Sequence, residues 1–153
     1  MEPRSDTQHT AYCRKLQELG KALGYKTEIP KAELYHLAYP DAAWYVDTQV
    51  GFDGVPEKVP VVVFEVLSSE LEKAIRGSVS SLLLYGSPIG VLVMIADRYE
   101  HLKKSKTAED WKRYIRDLVR ALRLERKIFL WDEKRVDLLL DKYRTNRPHQ
   151  GKT

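Results

Sequence analysis

The stretch Val59-Pro60-Val61-Val62-Val63-Phe64-Glu65-Val66-Leu67 decides how the rest of the chain is read. Its apolar residues fall on both alternating sets of positions, so both faces of the strand are covered and it belongs in the middle of a sheet. Pro60 is tolerable there because it stands near the strand's start. Glu65 is the anomaly. A carboxylate inside a buried strand costs several kcal/mol unless it is paired, hydrogen-bonded or bound to a metal. By alternation it shares a face with Val61, Val63 and Leu67.

Working outward, Ala42–Thr48 reads as a second strand, opened by Pro40-Asp41 and followed by a turn from Gly51 to Lys58. Tyr25–Pro30 reads as a short strand. Before it, Tyr12, Leu16, Leu19 and Leu23 recur at helical spacing over residues 7–23. After Leu67, residues 70–85 read as a helix, with a capping box from Ser69 to Glu72. Ile89–Ala96 is a buried strand. Thr107 starts a basic amphipathic helix to about Leu124, with Trp111, Ile115, Leu118, Val119 and Leu122 on its apolar side. Lys127–Trp131 is a strand, and Asp132 caps a last helix. The order α-β-β-β-α-β-α-β-α predicts an α/β domain with a central mixed sheet flanked by helices.

The chain has 153 residues, 43% hydrophobic and 31% charged, which suits one domain with a real core. The expected domain runs over residues 1–145, with a flexible tail over residues 146–153. No apolar run reaches the roughly 18 residues of a membrane span, and the first residues lack an apolar signal core. Cys13 is the single cysteine, so it forms no internal disulfide, and no Cys/His spacing reads as a zinc site. These features predict a cytoplasmic protein without a membrane partner.

Charge is uneven along the chain. Residues 1–97 hold 9 Lys/Arg against 13 Asp/Glu, whereas residues 98–153 hold 17 against 9. Lys112, Arg113, Arg116, Arg120 and Arg123 recur at three- and four-residue spacing and make a positive stripe beside the apolar one. Such a stripe suits a phosphate backbone, although a solvated helix face reads the same way.

Asp41 is read as a turn or cap residue when taken alone. If its strand pairs with Val59–Leu67 in a hairpin, Asp41 and Glu65 converge at one end of the sheet. Two carboxylates there suit Mg²⁺, a hard cation that takes oxygen ligands.

Pro40-Asp41, Asp41-Ala42-Ala43-Trp44 and Val63-Phe64-Glu65-Val66, followed by a serine-capped helix, together resemble the PD-(D/E)xK restriction-endonuclease-like superfamily. The resemblance covers about the first two-thirds of the chain. It implies an αβββαβ core with a C-terminal α-β-α extension, and a nuclease that hydrolyses DNA with Mg²⁺ or Mn²⁺. It implies Asp41 and Glu65 as metal ligands, and Glu18 as an extra acidic ligand on the first helix. The family's lysine position is Leu67 here, and leucine cannot orient water or stabilise developing charge. Lys73, on the next helix, is the expected replacement as a catalytic residue, with Arg76 behind it. The alternative is a degenerate nuclease fold that binds nucleic acid or protein without cutting. A third reading is a structural subunit that assembles, as in a homodimer, through the small-residue helix face Ser78–Tyr85.

Overall fold

The computed structural model describes residues 4–29, 40–49, 53–54 and 57–145, with side chains described from residue 8. The expected tail over residues 146–153 lies outside the described residues, as do Gly51, Pro56, His36 and His149. Ten elements follow in order: α1 (Arg4–Ala22), β1 (Lys26–Glu28), β2 (Ala42–Asp47), β3 (Lys58–Leu67), α2 (Glu72–Leu84), β4 (Ile89–Met94), α3 (Ala96–Glu100), α4 (Ala108–Ala121), β5 (Ile128–Asp132) and α5 (Glu133–Thr145). The five strands form one sheet in the order β1-β2-β3-β4-β5. β1, β2 and β3 run antiparallel in turn, and β3, β4 and β5 run parallel. This is the mixed sheet that the alternation of elements predicts, with the double-sided strand β3 at its centre.

Both faces of the sheet are covered. On one side α1 and α5 bring Tyr12, Leu16, Leu19, Val136 and Leu140 against Trp44, Phe64 and Val93. On the other side α2 and α4 bring Ile75, Val79, Leu82, Trp111 and Ile115 against Val63, Leu67 and Leu92. Fully burying one such side chain stabilises the fold by about 1.5–3 kcal/mol relative to leaving it exposed. The indole Nε1 of Trp44 donates to the Leu16 carbonyl at 2.8 Å, tying α1 to the sheet. No helix among the described residues is long and apolar enough to cross a membrane.

Several local expectations change. Opposite β2, the register steps from Trp44↔Val62 to Tyr45↔Pro60, so Val61 is an extra residue in β3. The bulge turns Val61 towards the α1 side, away from the face that Val63 and Leu67 share. The Ser69–Glu72 capping box does not form. Leu71 occupies the N-cap of α2, Glu70 accepts from the Ser68 and Ser69 amides at 2.6 and 2.9 Å, and Glu72 turns to Lys106 at 2.8 Å. The short helix α3 has no counterpart in the sequence reading. α4 begins with a capping box between Thr107 and Asp110 but ends at Ala121, leaving Leu122 exposed. Asp132 caps α5 as expected, accepting from the Arg135 amide at 2.9 Å. Ser81 of the Ser78–Tyr85 face is buried in the chain's own core, and Leu84 is exposed.

Two glycines in helices predict opposite outcomes. A Cβ on Gly20 would stand 2.5 Å from Thr27 Cγ2 and from Trp44 Nε1, whereas one on Gly77 meets nothing within 4 Å. Gly20→Ala is expected to cost about 1–3 kcal/mol by overpacking. Gly77→Ala is expected to stabilise by about 0.5–1 kcal/mol by removing backbone entropy from the unfolded chain. Urea unfolding of the two variants checks both signs.

Candidate metal and acid–base site

Asp41 immediately precedes β2 and is held by three contacts. Its amide donates to the Phe64 carbonyl at 2.8 Å. Its carboxylate Oδ2 accepts from the Val66 amide at 2.7 Å and meets His9 Nε2 at 3.1 Å. The pairing Ala42↔Phe64 places Asp41 opposite Glu65, one step further along the two strands. The two carboxyl groups are close enough for Asp41 to act directly on the protonation of Glu65. Convergence at the carboxyl end of β3 is therefore a product of antiparallel register, as the hairpin expectation requires.

His9 reaches the pair from α1. One helical turn on, Cys13 presents its thiol to the other ring nitrogen, with Sγ 3.8 Å from Nδ1. The sequence reading finds no Cys/His pattern. The structure joins His9 and Cys13 to Asp41, with one donor atom from each lying within 4.8 Å of the others. The four-residue spacing on a helix was the available signal, because residues at i and i+4 share a face.

The electrostatics follow from burial and from two carboxyls in contact. Burial first, then the Asp41 charge and hydrogen bond, push the Glu65 carboxyl up to about 9. His9 is raised to about 11, chiefly by its hydrogen bond to Asp41 and then by Cys13, with burial opposing. At neutral pH His9 and Glu65 thus both keep their protons in the ion-free cluster. A dication would displace protons from this arrangement, so its uptake strengthens with pH.

The other expected residues are placed elsewhere. Glu18 is not brought to Asp41 and Glu65: it points towards α5 and forms a bidentate pair with Arg144, both bonds at 2.8 Å. Its position on α1, more than two turns beyond His9, turns it to that neighbour. Leu67 is fully buried under α2 and α4. Lys73 is exposed on α2, and among the described residues no hydrogen bond or ion pair joins it to the carboxylates. Arg76 is also exposed and donates to the Tyr114 hydroxyl at 3.2 Å.

The positive stripe runs away from the site. Lys112 meets Asp132 at the carboxyl end of β5, at 3.1 Å. Arg116 and Arg120 instead line a groove of about 240 Å³ with Ile128 and Phe129, at the start of that strand. Because β3, β4 and β5 are parallel, the groove lies at the opposite end of the sheet from Asp41 and Glu65. Arg113 and Arg120 are only 3.8 Å from the carboxylates of Asp110 and Asp117 and remain exposed, as do Arg116 and Arg123. At the carboxylate end, sequence reasoning missed Arg98 and His101, which line a pocket of about 360 Å³ with Ser68 and Asp97.

The pH response of the ion-free protein tests this reading. The native state keeps a proton on Glu65 that the unfolded chain releases near 4.5, so stability falls as pH rises from about 4.5 through about 9. The His9 contribution is complete below 6.5 and is lost as pH rises through about 11, in the same direction. Glu65→Gln keeps a donor for Asp41 and removes the titration. Its urea midpoint should stay level between pH 5 and 6.5 where the wild type declines, and exceed the wild type's near pH 9. Parallel curves for the two proteins would contradict the assignment.

The sequence matches no protein-family model and no curated protein.

Proposed function

We propose that the chain is a metal-dependent phosphodiesterase that acts on DNA and is built on a restriction-endonuclease-like αβββαβ core. The observation that carries the reading is the meeting of Asp41 and Glu65 on adjacent strands at the carboxyl end of β3. The element order from α1 to β4, with three antiparallel strands followed by a parallel one, supports the same reading.

Asp41 and Glu65 offer the oxygen donors that Mg²⁺ or Mn²⁺ takes, and the pair fits such an ion because two carboxyls in contact gain from a shared cation. When bound, the ion supplies polarisation of the phosphodiester and a more acidic water. The protein's own groups set the rest. The Val66 amide fixes one Asp41 oxygen. His9, the cation that touches Asp41, supplies positive charge where the family lysine is replaced by Leu67. Arg98 and His101 line the neighbouring pocket and suit the phosphates of a strand. The remote groove with Arg116 and Arg120 serves a more distant stretch of duplex.

A second reading, a non-cutting fold that binds nucleic acid or protein, is favoured by one observation: buried Leu67 and exposed Lys73 leave the carboxylates without a lysine contact among the described residues. Nicking of supercoiled plasmid and cleavage of branched DNA, with Mg²⁺ or Mn²⁺, separate the two. Metal-dependent cutting by the wild type, reduced at least about 100-fold in Glu65→Ala, is the expected result, an effect of the size that loss of a charge-stabilising group produces. Equal background in both proteins on every substrate overturns the enzyme reading and leaves the binding one.

A further inference from the structure

We infer that His9, Cys13 and Asp41 form a binding site for a divalent transition-metal ion of the zinc class, different in donor chemistry from the oxygen pair of Asp41 and Glu65. The inference does not rest on the phosphodiesterase reading, with which it shares Asp41, His9 and, as an optional fourth ligand, Glu65.

The geometry is partly assembled. α1 carries His9 and Cys13 one turn apart on the face that meets the sheet, and the chain entering β2 brings Asp41 to them. One donor atom from each lies within 4.8 Å of the other two. Donors around tetrahedral zinc stand about 3.3–3.8 Å apart when bonds are about 2.0–2.3 Å. Cys13 and Asp41 now meet opposite ring nitrogens of His9, so uptake of one ion requires the imidazole to turn until a single nitrogen faces both. Two long fixings hold the frame: Trp44 anchors α1 through the Leu16 carbonyl, and the Val66 amide anchors the Asp41 carboxylate.

The donor types choose the ion. Magnesium takes oxygen and keeps its waters, and gains nothing from a thiol or an imidazole. Zinc and cobalt accept nitrogen, sulfur and oxygen together in four-coordinate sites. Cys13 is only 5% exposed, and its thiolate in that setting needs a positive partner. Ion uptake releases the Cys13 thiol proton and the proton between His9 and Asp41 to solvent, leaving one sulfur, one nitrogen and one oxygen on the metal. Three protein ligands leave a fourth position, which Glu65 opposite Asp41, or a water, can fill.

Titration of the wild-type chain with Co²⁺ tests the site. Cys13 is the sole cysteine, so a thiolate-to-cobalt charge-transfer band can arise from nothing else. The expected result is that band, saturating at one ion per chain and displaced by Zn²⁺ but not by Mg²⁺. Cys13→Ser should abolish it, and His9→Gln and Asp41→Asn should each weaken Co²⁺ binding at least about tenfold. No band in the wild type, or unchanged affinity in both of the latter variants, overturns the inference. A readout that needs no variant guards against misfolding: Zn²⁺ should slow alkylation of Cys13 in the native protein where Mg²⁺ does not, and equal rates would overturn the site. Plasmid cleavage in Mg²⁺ is scored separately, so a cobalt band without cleavage, or cleavage without the band, tells which of the two readings has failed.

Discussion

A strand that is apolar on both faces has to be roofed and floored, and β3 sets that constraint for every other element. Its Val62, Phe64 and Val66 need a layer on one side, and Val63 and Leu67 need one on the other. The chain meets the first need with helices from its two ends, α1 and α5, and the second with α2 and α4 between the parallel strands. Right-handed crossovers from β3 to β4 and from β4 to β5 are the ordinary way to place such helices. Glu65 is tolerable in β3 because it stands just past the last residue paired with β2, is only partly buried, and keeps its proton.

That end of the sheet stores an electrostatic tension that the described groups relieve with protons. Two carboxyls share a partly buried corner, with Glu70 adding to the repulsion, so Glu65 keeps its proton. Asp41 stays an acceptor because the Val66 amide and His9 both donate to it. The corner holds displaceable protons on His9 and Glu65, which is the condition in which a cation can enter without the cost of an uncompensated buried charge. The large positive groove at the other end of the sheet leaves this local balance to His9.

How much of this was legible depended on whether a signal was local or tertiary. Strong periodicity gave β3, β4 and α4, and the anomaly of Glu65 within an apolar run pointed at the site. Antiparallel pairing of neighbours in sequence was enough to foresee Asp41 beside Glu65. The bulge at Val61 was hidden, because a run of valines looks the same in either register. Glu70 took the Ser69 amide that Glu72 would accept from in a capping box, a local competition that spacing rules do not rank. His9 and Cys13 were passed over because their partner is brought by a different element. Glu18 was expected as a metal ligand and instead pairs with Arg144, and the arginine stripe was expected to meet phosphates, but a sequence does not say towards which neighbour, or at which end of a sheet, a helix face emerges.

The close seat of α1 has a consequence for how the site lives in solution. Gly20 lets the helix backbone approach Trp44 and Thr27 more tightly than any side chain would permit. The same helix carries His9 and Cys13, while Asp41 and Glu65 belong to the strands. A helix seated on one face of a sheet is the kind of unit that detaches in partial opening while the central strands persist. Each such excursion would strip the nitrogen and sulfur donors from the corner and leave two bare carboxyls behind. Any ligand that bridges helix and strand therefore acts as a latch, and amide exchange along α1 becomes a measure of occupancy at a point more than two turns away from Gly20.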